Sequence, residues 1–158
     1  MFREMRRKKQ LLSVELTEQI LMNESTGVLG VSGDDGYPYT VPLNYVYENR
    51  EIYFHCAKAG HKFDSIKNNR KVSFCVISKD DIIPEKFTTY FRSVIVFGRA
   101  VEIEEDGEKL RVMRLLGSKY APGLDEAGDK AIQRAWNILC VMKVKVEHMT
   151  GKEAIEPD

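Results

Sequence analysis

Long apolar runs are missing from this sequence: its most hydrophobic stretches, such as Ser93-Val94-Ile95-Val96-Phe97, fall far short of the ~20 residues that cross a bilayer. No apolar segment follows the basic N-terminus, so neither a membrane anchor nor a secretory leader is expected. Cysteine is scarce, and Cys56, Cys75 and Cys140 are odd in number and widely spaced. That suits a reducing, cytoplasmic compartment better than a disulfide framework, with each thiol expected as a small buried apolar residue. Net charge is absent as well, since 24 basic side chains stand against 24 acidic ones. A general nucleic-acid binder needs a basic surface to displace counterions from phosphates, so no nucleic-acid partner is expected. His55, Cys56 and His61, even with Cys75 or Cys140, make a poor metal set, because no Cys-x-x-Cys or His-Glu-x-x-His pair is present. No Gly-x-Ser-x-Gly elbow signals a hydrolase, and neither a P-loop nor a Gly-x-Gly-x-x-Gly fingerprint appears.

What is present describes one globular domain over residues 1–158. At 158 residues and 43% hydrophobic composition, a folded chain hides roughly 70% of the surface it exposes when unfolded, which supports a core without staples. No repeat or Pro/Gly/Ser linker divides it. The arm at residues 1–12 is basic (Arg3, Arg6, Arg7, Lys8, Lys9) and reads as a solvated, partly mobile segment, or as a contact for an anion, a membrane surface or nucleic acid.

Ser13 is an N-cap for a short helix over residues 14–22, with Leu16 and Ile20 on one face. Residues 27–32 read as a buried strand, Gly33-Asp34-Asp35-Gly36 as a hairpin turn, and residues 37–47 as a second, continuous strand. Glu48-Asn49-Arg50 is another turn, and a third strand at 51–56 completes a meander. Helical spacing takes over from His61 to Asn69, followed by a strand at 71–77, a break at Pro84 and a long β-rich run over 87–104. The acidic cluster Glu102-Glu104-Glu105-Asp106 reads as a solvated turn. Two helices, over 108–120 and 125–137, precede a last strand through Val146. About six strands with a few helices in β-rich order predict a mostly β fold, a small antiparallel barrel with helical insertions.

Two features carry chemistry. Pro38 and Pro42 lie four apart, so both missing N–H groups fall on one side of the strand, which cannot carry an ordinary ladder there. Either a flat heteroaromatic ligand bonds the backbone around Val41, Pro42, Leu43 and Asn44, or the strand is an edge shielded by proline. The second feature, Lys58-Ala59-Gly60-His61-Lys62, stands between a strand and a helix. There the helix N-terminus favours an anion, Gly60 permits close backbone approach, and His61 and Lys62 add donors and charge; a solvated basic turn is the plainer reading. His55, at a strand end, is either a packing histidine or a functional one.

Taken in order, Gly36-Tyr37-Pro38-Tyr39-Thr40-Val41-Pro42-Leu43-Asn44-Tyr45, Ile52-Tyr53-Phe54-His55-Cys56-Ala57 and Gly60-His61-Lys62 resemble the pyridoxamine 5′-phosphate oxidase-like superfamily of FMN-binding split barrels. Met1 to Arg7, Phe87 to Val94 and Thr150 to Ala154 extend the resemblance toward its 5-nitroimidazole antibiotic-resistance branch. The resemblance implies a six-stranded antiparallel split barrel and a homodimer with FMN, or FAD in its place, in grooves where the subunits meet. It further implies that backbone groups of Val41, Pro42, Leu43 and Asn44 meet the pyrimidine edge of the isoalloxazine, that His55, Cys56 and Ala57 lie along the flavin, and that Gly60, His61 and Lys62 hold the phosphate. Arg92 and Ser93 match positions that approach the flavin from the partner subunit.

Departures bear on the substrate. Where pyridoxamine phosphate oxidases resemble Arg-Gln-Val-Arg-Val-Glu-Gly, this chain has Arg92-Ser93-Val94-Ile95-Val96-Phe97-Gly98, and the basic C-terminal substrate motif is absent. Ile95 in place of the second arginine removes a bidentate phosphate clamp. The resemblance thus implies a flavin-dependent reductase of a small electron-poor acceptor such as a nitroaromatic ring, with His55 as proton donor; His61 is a second candidate for that role. The electron donor is not visible in the sequence. Rival readings are a flavin or haem carrier without turnover, and a pyridoxamine phosphate oxidase of altered specificity.

Overall fold

The structure, a computed structural model, describes residues 1–155. Helix α1 (Val14–Asn23) begins at Ser13, whose hydroxyl accepts from the Leu16 N–H at 3.2 Å, as its N-cap position predicts. Strands β1 (Thr26–Ser32), β2 (Pro38–Asn44), β3 (Val46–Glu48) and β4 (Glu51–Ala57) follow, then α2 (His61–Asn68), β5 (Lys71–Ile83) and β6 (Thr88–Glu102). Helices α3 (Asp106–Tyr120) and α4 (Asp125–Ala135) precede β7 (Leu139–Ala154). All strand pairings are antiparallel, in the order β2-β1-β5-β6-β7-β4-β3.

The mostly β expectation holds, but the sheet has seven strands rather than six, and its ladder is open. The segment expected as one strand over residues 37–47 divides at Tyr45. Its first half pairs only with β1 and its second only with β4, so the two halves stand at opposite ends of the strand order and no simple meander forms. The covalent chain through Tyr45 joins the sheet's two edges where hydrogen bonds do not. Asn49 and Arg50, at φ 49° and 60°, make the two-residue turn between β3 and β4.

Freed from the ladder, the Tyr45 backbone finds partners on α3. Its N–H donates to the Tyr120 hydroxyl at 2.9 Å, and its carbonyl accepts from the Lys119 ammonium at 3.0 Å. The Tyr45 ring is fully buried against Phe74, and its hydroxyl donates to the Leu21 carbonyl at 2.6 Å. Burial pushes the Tyr45 phenol well above its ordinary range.

One face of the sheet encloses the main core, with Leu29, Ile52, Phe54, Phe74, Val76, Val94, Val96, Met142 and Val144 inside and Leu21 of α1 closing one end. Alternation along β1 puts Gly27, Leu29 and Val31 inward. The opposite face carries a smaller core of Tyr53, Leu139 and Val141 beneath Val112 and Leu116 of α3.

Four other expectations change. Strand β5 runs past Ile77 to Ile83 through a register shift, because polar Lys79-Asp80-Asp81 pairs with Arg92, Phe91 and Tyr90 of β6. Strand β7 runs past Val146 to Ala154, its polar end paired with β6. The acidic segment is not merely solvated: Glu105 caps α3 by accepting from the N–H groups of Gly107 and Glu108, and Glu102 pairs with Lys67 at 2.9 Å. Although the basic side chains of the N-terminal arm are exposed as expected, the arm itself is docked. The Leu12 N–H donates to the Gly151 carbonyl at 2.9 Å, and Phe2 stacks on His148 with ring centroids 5.0 Å apart.

Gly98 sits at the β6 register shift, where a Cβ would stand 2.3 Å from the Lys145 carbonyl oxygen. Gly128, within α4, has nothing within 4 Å of that position. Gly98→Ala should cost about 1–3 kcal/mol in urea unfolding, whereas Gly128→Ala should gain about 0.5–1 kcal/mol from its helical site. Equal effects would contradict the close approach of β6 and β7.

Candidate functional site

Strand β2 is the free edge of the sheet, and its alternation decides which groups it offers. Tyr39, Val41 and Leu43 are half-buried against the core, while Pro38, Thr40, Pro42 and Asn44 are exposed. Because Pro38 and Pro42 have no N–H, the ladder to β1 must run through Tyr39, Val41 and Leu43, opposite Val31, Leu29 and Gly27. The outer edge therefore carries the carbonyls of Pro38, Thr40, Pro42 and Asn44 and the amides of Thr40 and Asn44. Of the four residues expected there, Pro42 and Asn44 present backbone outward, and Val41 and Leu43 turn theirs toward β1.

The loop after β4 brings the second feature to the same end of the fold. Gly60 precedes α2 with φ 119°, a left-handed conformation that suits glycine, and nothing stands within 4 Å of where its side chain would be. No side chain caps the first turn, so the N–H groups at the start of α2 keep their hydrogen-bonding capacity. His61 stacks on Tyr39 of β2, ring centroids 3.9 Å apart, and its Nε2 lies 3.8 Å from an Asp34 carboxylate oxygen. This stack ties the helix N-terminus to the proline-bearing strand. Neither Tyr39 nor Asp34 stands out in the sequence as a site residue; Asp34 lies in the turn before β2 and Tyr39 within β2.

His55 and Cys56 adjoin each other on β4 but face opposite sides. His55 and Ala57 are exposed, and Cys56 points into the main core. Desolvation by the surrounding protein, aided by the Lys62 charge, holds the His55 imidazole below its ordinary value of 6.5. Lys62 thus lies close enough to act on both His55 and Cys56. At neutral pH His55 is an uncharged imidazole with one N–H to donate.

Arg92 and Ser93 are not part of this group within one subunit. They stand on β6, separated from β2 by β5 and β1. Arg92 pairs with Glu153 of β7 at 2.7 Å, and Ser93 lies between Ile77 and Lys152 in the register. Ile95 and Phe97, farther along β6, remain 45% and 39% exposed, with Phe2 of the N-terminal arm stacked on Phe97 at a centroid distance of 5.4 Å. Among the described residues no cluster of His, Cys, Asp or Glu could hold a metal ion, and no helix is long and apolar enough to cross a membrane.

The chain's architecture is shared with solved structures. A candidate 5-nitroimidazole antibiotic resistance protein from Bacteroides thetaiotaomicron is 24% identical, with 90% of this chain and 86% of that chain covered and a TM-score of 0.74. A FAD-binding protein from Mesorhizobium loti is 25% identical over 92% of this chain and 98% of its own, with a TM-score of 0.65. The flavocytochrome Anf3 from Azotobacter vinelandii reaches a TM-score of 0.81 at 21% identity, over 98% of this chain and 73% of its own. No curated protein matches the sequence closely enough to count as a relative. The family model of pyridoxamine 5′-phosphate oxidase matches residues 13–153, from the N-cap of α1 to the penultimate residue of β7, and on that match the chain belongs to the pyridoxamine 5′-phosphate oxidase family.

Proposed function

We propose that the protein binds FMN, with FAD as an alternative, and uses it to reduce a small electron-poor acceptor such as a 5-nitroimidazole. The observation that carries this reading is the stack of His61 on Tyr39, which sets an uncapped, cationic helix start beside a strand edge with both donors and acceptors. A phosphate fits the first of these elements and the pyrimidine edge of an isoalloxazine the second. Gly60 leaves room for the phosphate, Lys62 supplies charge, and His61 offers an imidazole already fixed by Tyr39. The free edge at Pro42 and Asn44 serves the ring, with Val41 and Leu43 holding that edge in place from beneath. The similar FAD-binding protein from Mesorhizobium loti supports a flavin as the ligand.

The flavin, when bound, supplies the electron transfer. The protein's share is to hold the acceptor against it, to exclude water, and to donate a proton. His55, Cys56 and Ala57 run beside the ring in this reading, and the His55 imidazole faces outward to meet the acceptor. Ile95, where the family's phosphate-specific enzymes carry arginine, suits an apolar or weakly polar acceptor better than a phosphorylated one. The exposed Ile95 and Phe97 form a homodimer interface, through which Arg92 and Ser93 of one subunit reach the flavin of the other. A cytoplasmic location fits a chain whose three cysteines are free thiols.

A pH profile tests the assignment of His55. Its folded pKa is lowered, so the fraction carrying the acidic proton grows only as pH falls below 6.5. With reduced FMN supplied, nitroimidazole reduction should accelerate as pH falls below that value, and His55→Gln should flatten this limb without releasing FMN. A His55→Gln protein with the parental profile removes His55 from the reaction. Flavin retention with no turnover of nitroimidazole, and no pyridoxal phosphate formed from pyridoxamine phosphate, would favour a flavin or haem carrier instead.

A further inference from the structure

Two of the three cysteines, far apart in sequence, are direct neighbours in the sheet. Cys56 of β4 lies opposite Cys140 of β7 in the antiparallel register. The Val146 N–H donates to the Arg50 carbonyl at 3.1 Å, which fixes the alternation of that ladder and makes Cys56 and Cys140 a hydrogen-bonded pair. Opposed residues of this kind have Cα atoms ~5.5 Å apart, within the ~4.4–6.8 Å that a disulfide spans. Both side chains are directed into the main core, 9% and 1% exposed.

The surroundings distinguish the two thiols. The neighbouring Cys140 thiol, with the positive potential of the Lys62 ammonium, holds Cys56 below the ordinary thiol range. Cys140 is held above it, with the Glu102 carboxylate as a second neighbour. Glu102 in turn is paired with Lys67 at 2.9 Å and feels the charge of Lys58. The arrangement has a nucleophile, a thiol that retains its proton, and a carboxylate to receive that proton. Cys75 has none of these: it lies on β5 between Val28 and Ile95, and burial raises its pKa.

We infer that Cys56 and Cys140 are a redox-active dithiol that a hydroperoxide, hydrogen peroxide being the simplest, converts to a cross-strand disulfide. The Cys56 thiolate attacks one peroxide oxygen; an S–O bond forms, the O–O bond breaks, and hydroxide leaves to take a proton as water. The Cys140 sulfur then attacks the Cys56 sulfenic sulfur, forming S–S as S–O breaks, while the Cys140 proton passes by way of Glu102 to the second hydroxide. Two thiols and one peroxide give one disulfide and two waters, the dithiol losing the two electrons that the peroxide gains. The inference rests on the sheet register, not on the assignment of a flavin.

The full-length protein, reduced and freed of reductant, tests it when treated with one equivalent of hydrogen peroxide, denatured and alkylated. One of the three thiols should remain alkylatable, a peptide pair should join Cys56 to Cys140, and dithiothreitol should restore all three. Cys75→Ser protein should form the same link. Cys140→Ser protein should stop at a Cys56 sulfenic acid that dimedone traps. Three alkylatable thiols after treatment, or oxidation centred on Cys75, would overturn the inference.

Discussion

Lys62→Ala protein is expected to bind FMN about 10- to 100-fold more weakly than the parent, while binding riboflavin equally well. The magnitude is that of a charge-assisted hydrogen bond, about 1.5–3 kcal/mol, removed from the phosphate. Riboflavin is the control because it keeps the ring and lacks the phosphate, so a general disturbance of the groove would weaken both ligands together. Removing Lys62 also removes the positive charge that adds to burial in depressing His55. The acid limb of the reductase profile should therefore move to higher pH in the same variant. Fluorescence titration of the flavin-free protein reads the affinities, and equal losses for FMN and riboflavin would place the phosphate elsewhere.

Tyr120→Phe should lower the stability of the protein by about 1–3 kcal/mol, a large effect for the loss of one oxygen atom. That oxygen accepts from the Tyr45 N–H at 2.9 Å and also contacts the Ser25 carbonyl at 2.6 Å. Phenylalanine would leave the Tyr45 amide without a partner where the chain leaves β2 and has not yet joined β3, a place where the sheet cannot supply one. Lys119→Met should act similarly, because the ammonium donates to the carbonyls of Glu24 at 2.6 Å and Tyr45 at 3.0 Å. The double variant should cost less than the sum of the two, since both groups also converge on the Tyr45 carbonyl. Tyr37→Phe, at a tyrosine 77% exposed, provides a comparison in which urea unfolding should scarcely change. Should Tyr120→Phe match Tyr37→Phe, α3 would not be what secures the split in the sheet.

The pieces of this fold that depend on neighbours in sequence were legible from it. Ser13 caps α1, Gly60 opens α2, the turns at Asp34-Asp35 and Asn49-Arg50 fall where polar residues interrupt apolar runs, and residues 27–32 form a strand. The division at Tyr45 was not legible, because residues 37–47 keep strand-like composition throughout and the break is imposed by pairing with two distant strands. The polar tails of β5 and β7 were hidden for a related reason: each is held by β6, and neither has a buried face to give it periodicity. At the candidate site, the prolines of β2 and the Gly-His-Lys turn marked both halves. What joins them, the contact of His61 with Tyr39, arises only when α2 packs beside β2. The pairing of Cys56 with Cys140, like that of Glu102 with Lys67, is likewise a matter of register and leaves no local pattern.

The visible absorption spectrum of the purified protein, with mass analysis of what denaturation releases, bears most directly on the central claim. The account predicts a flavin spectrum and the release of FMN or FAD at about one per chain. A colourless protein that also fails to take up added FMN and FAD would contradict it, and would remove the cofactor from the free edge of β2 and from the start of α2.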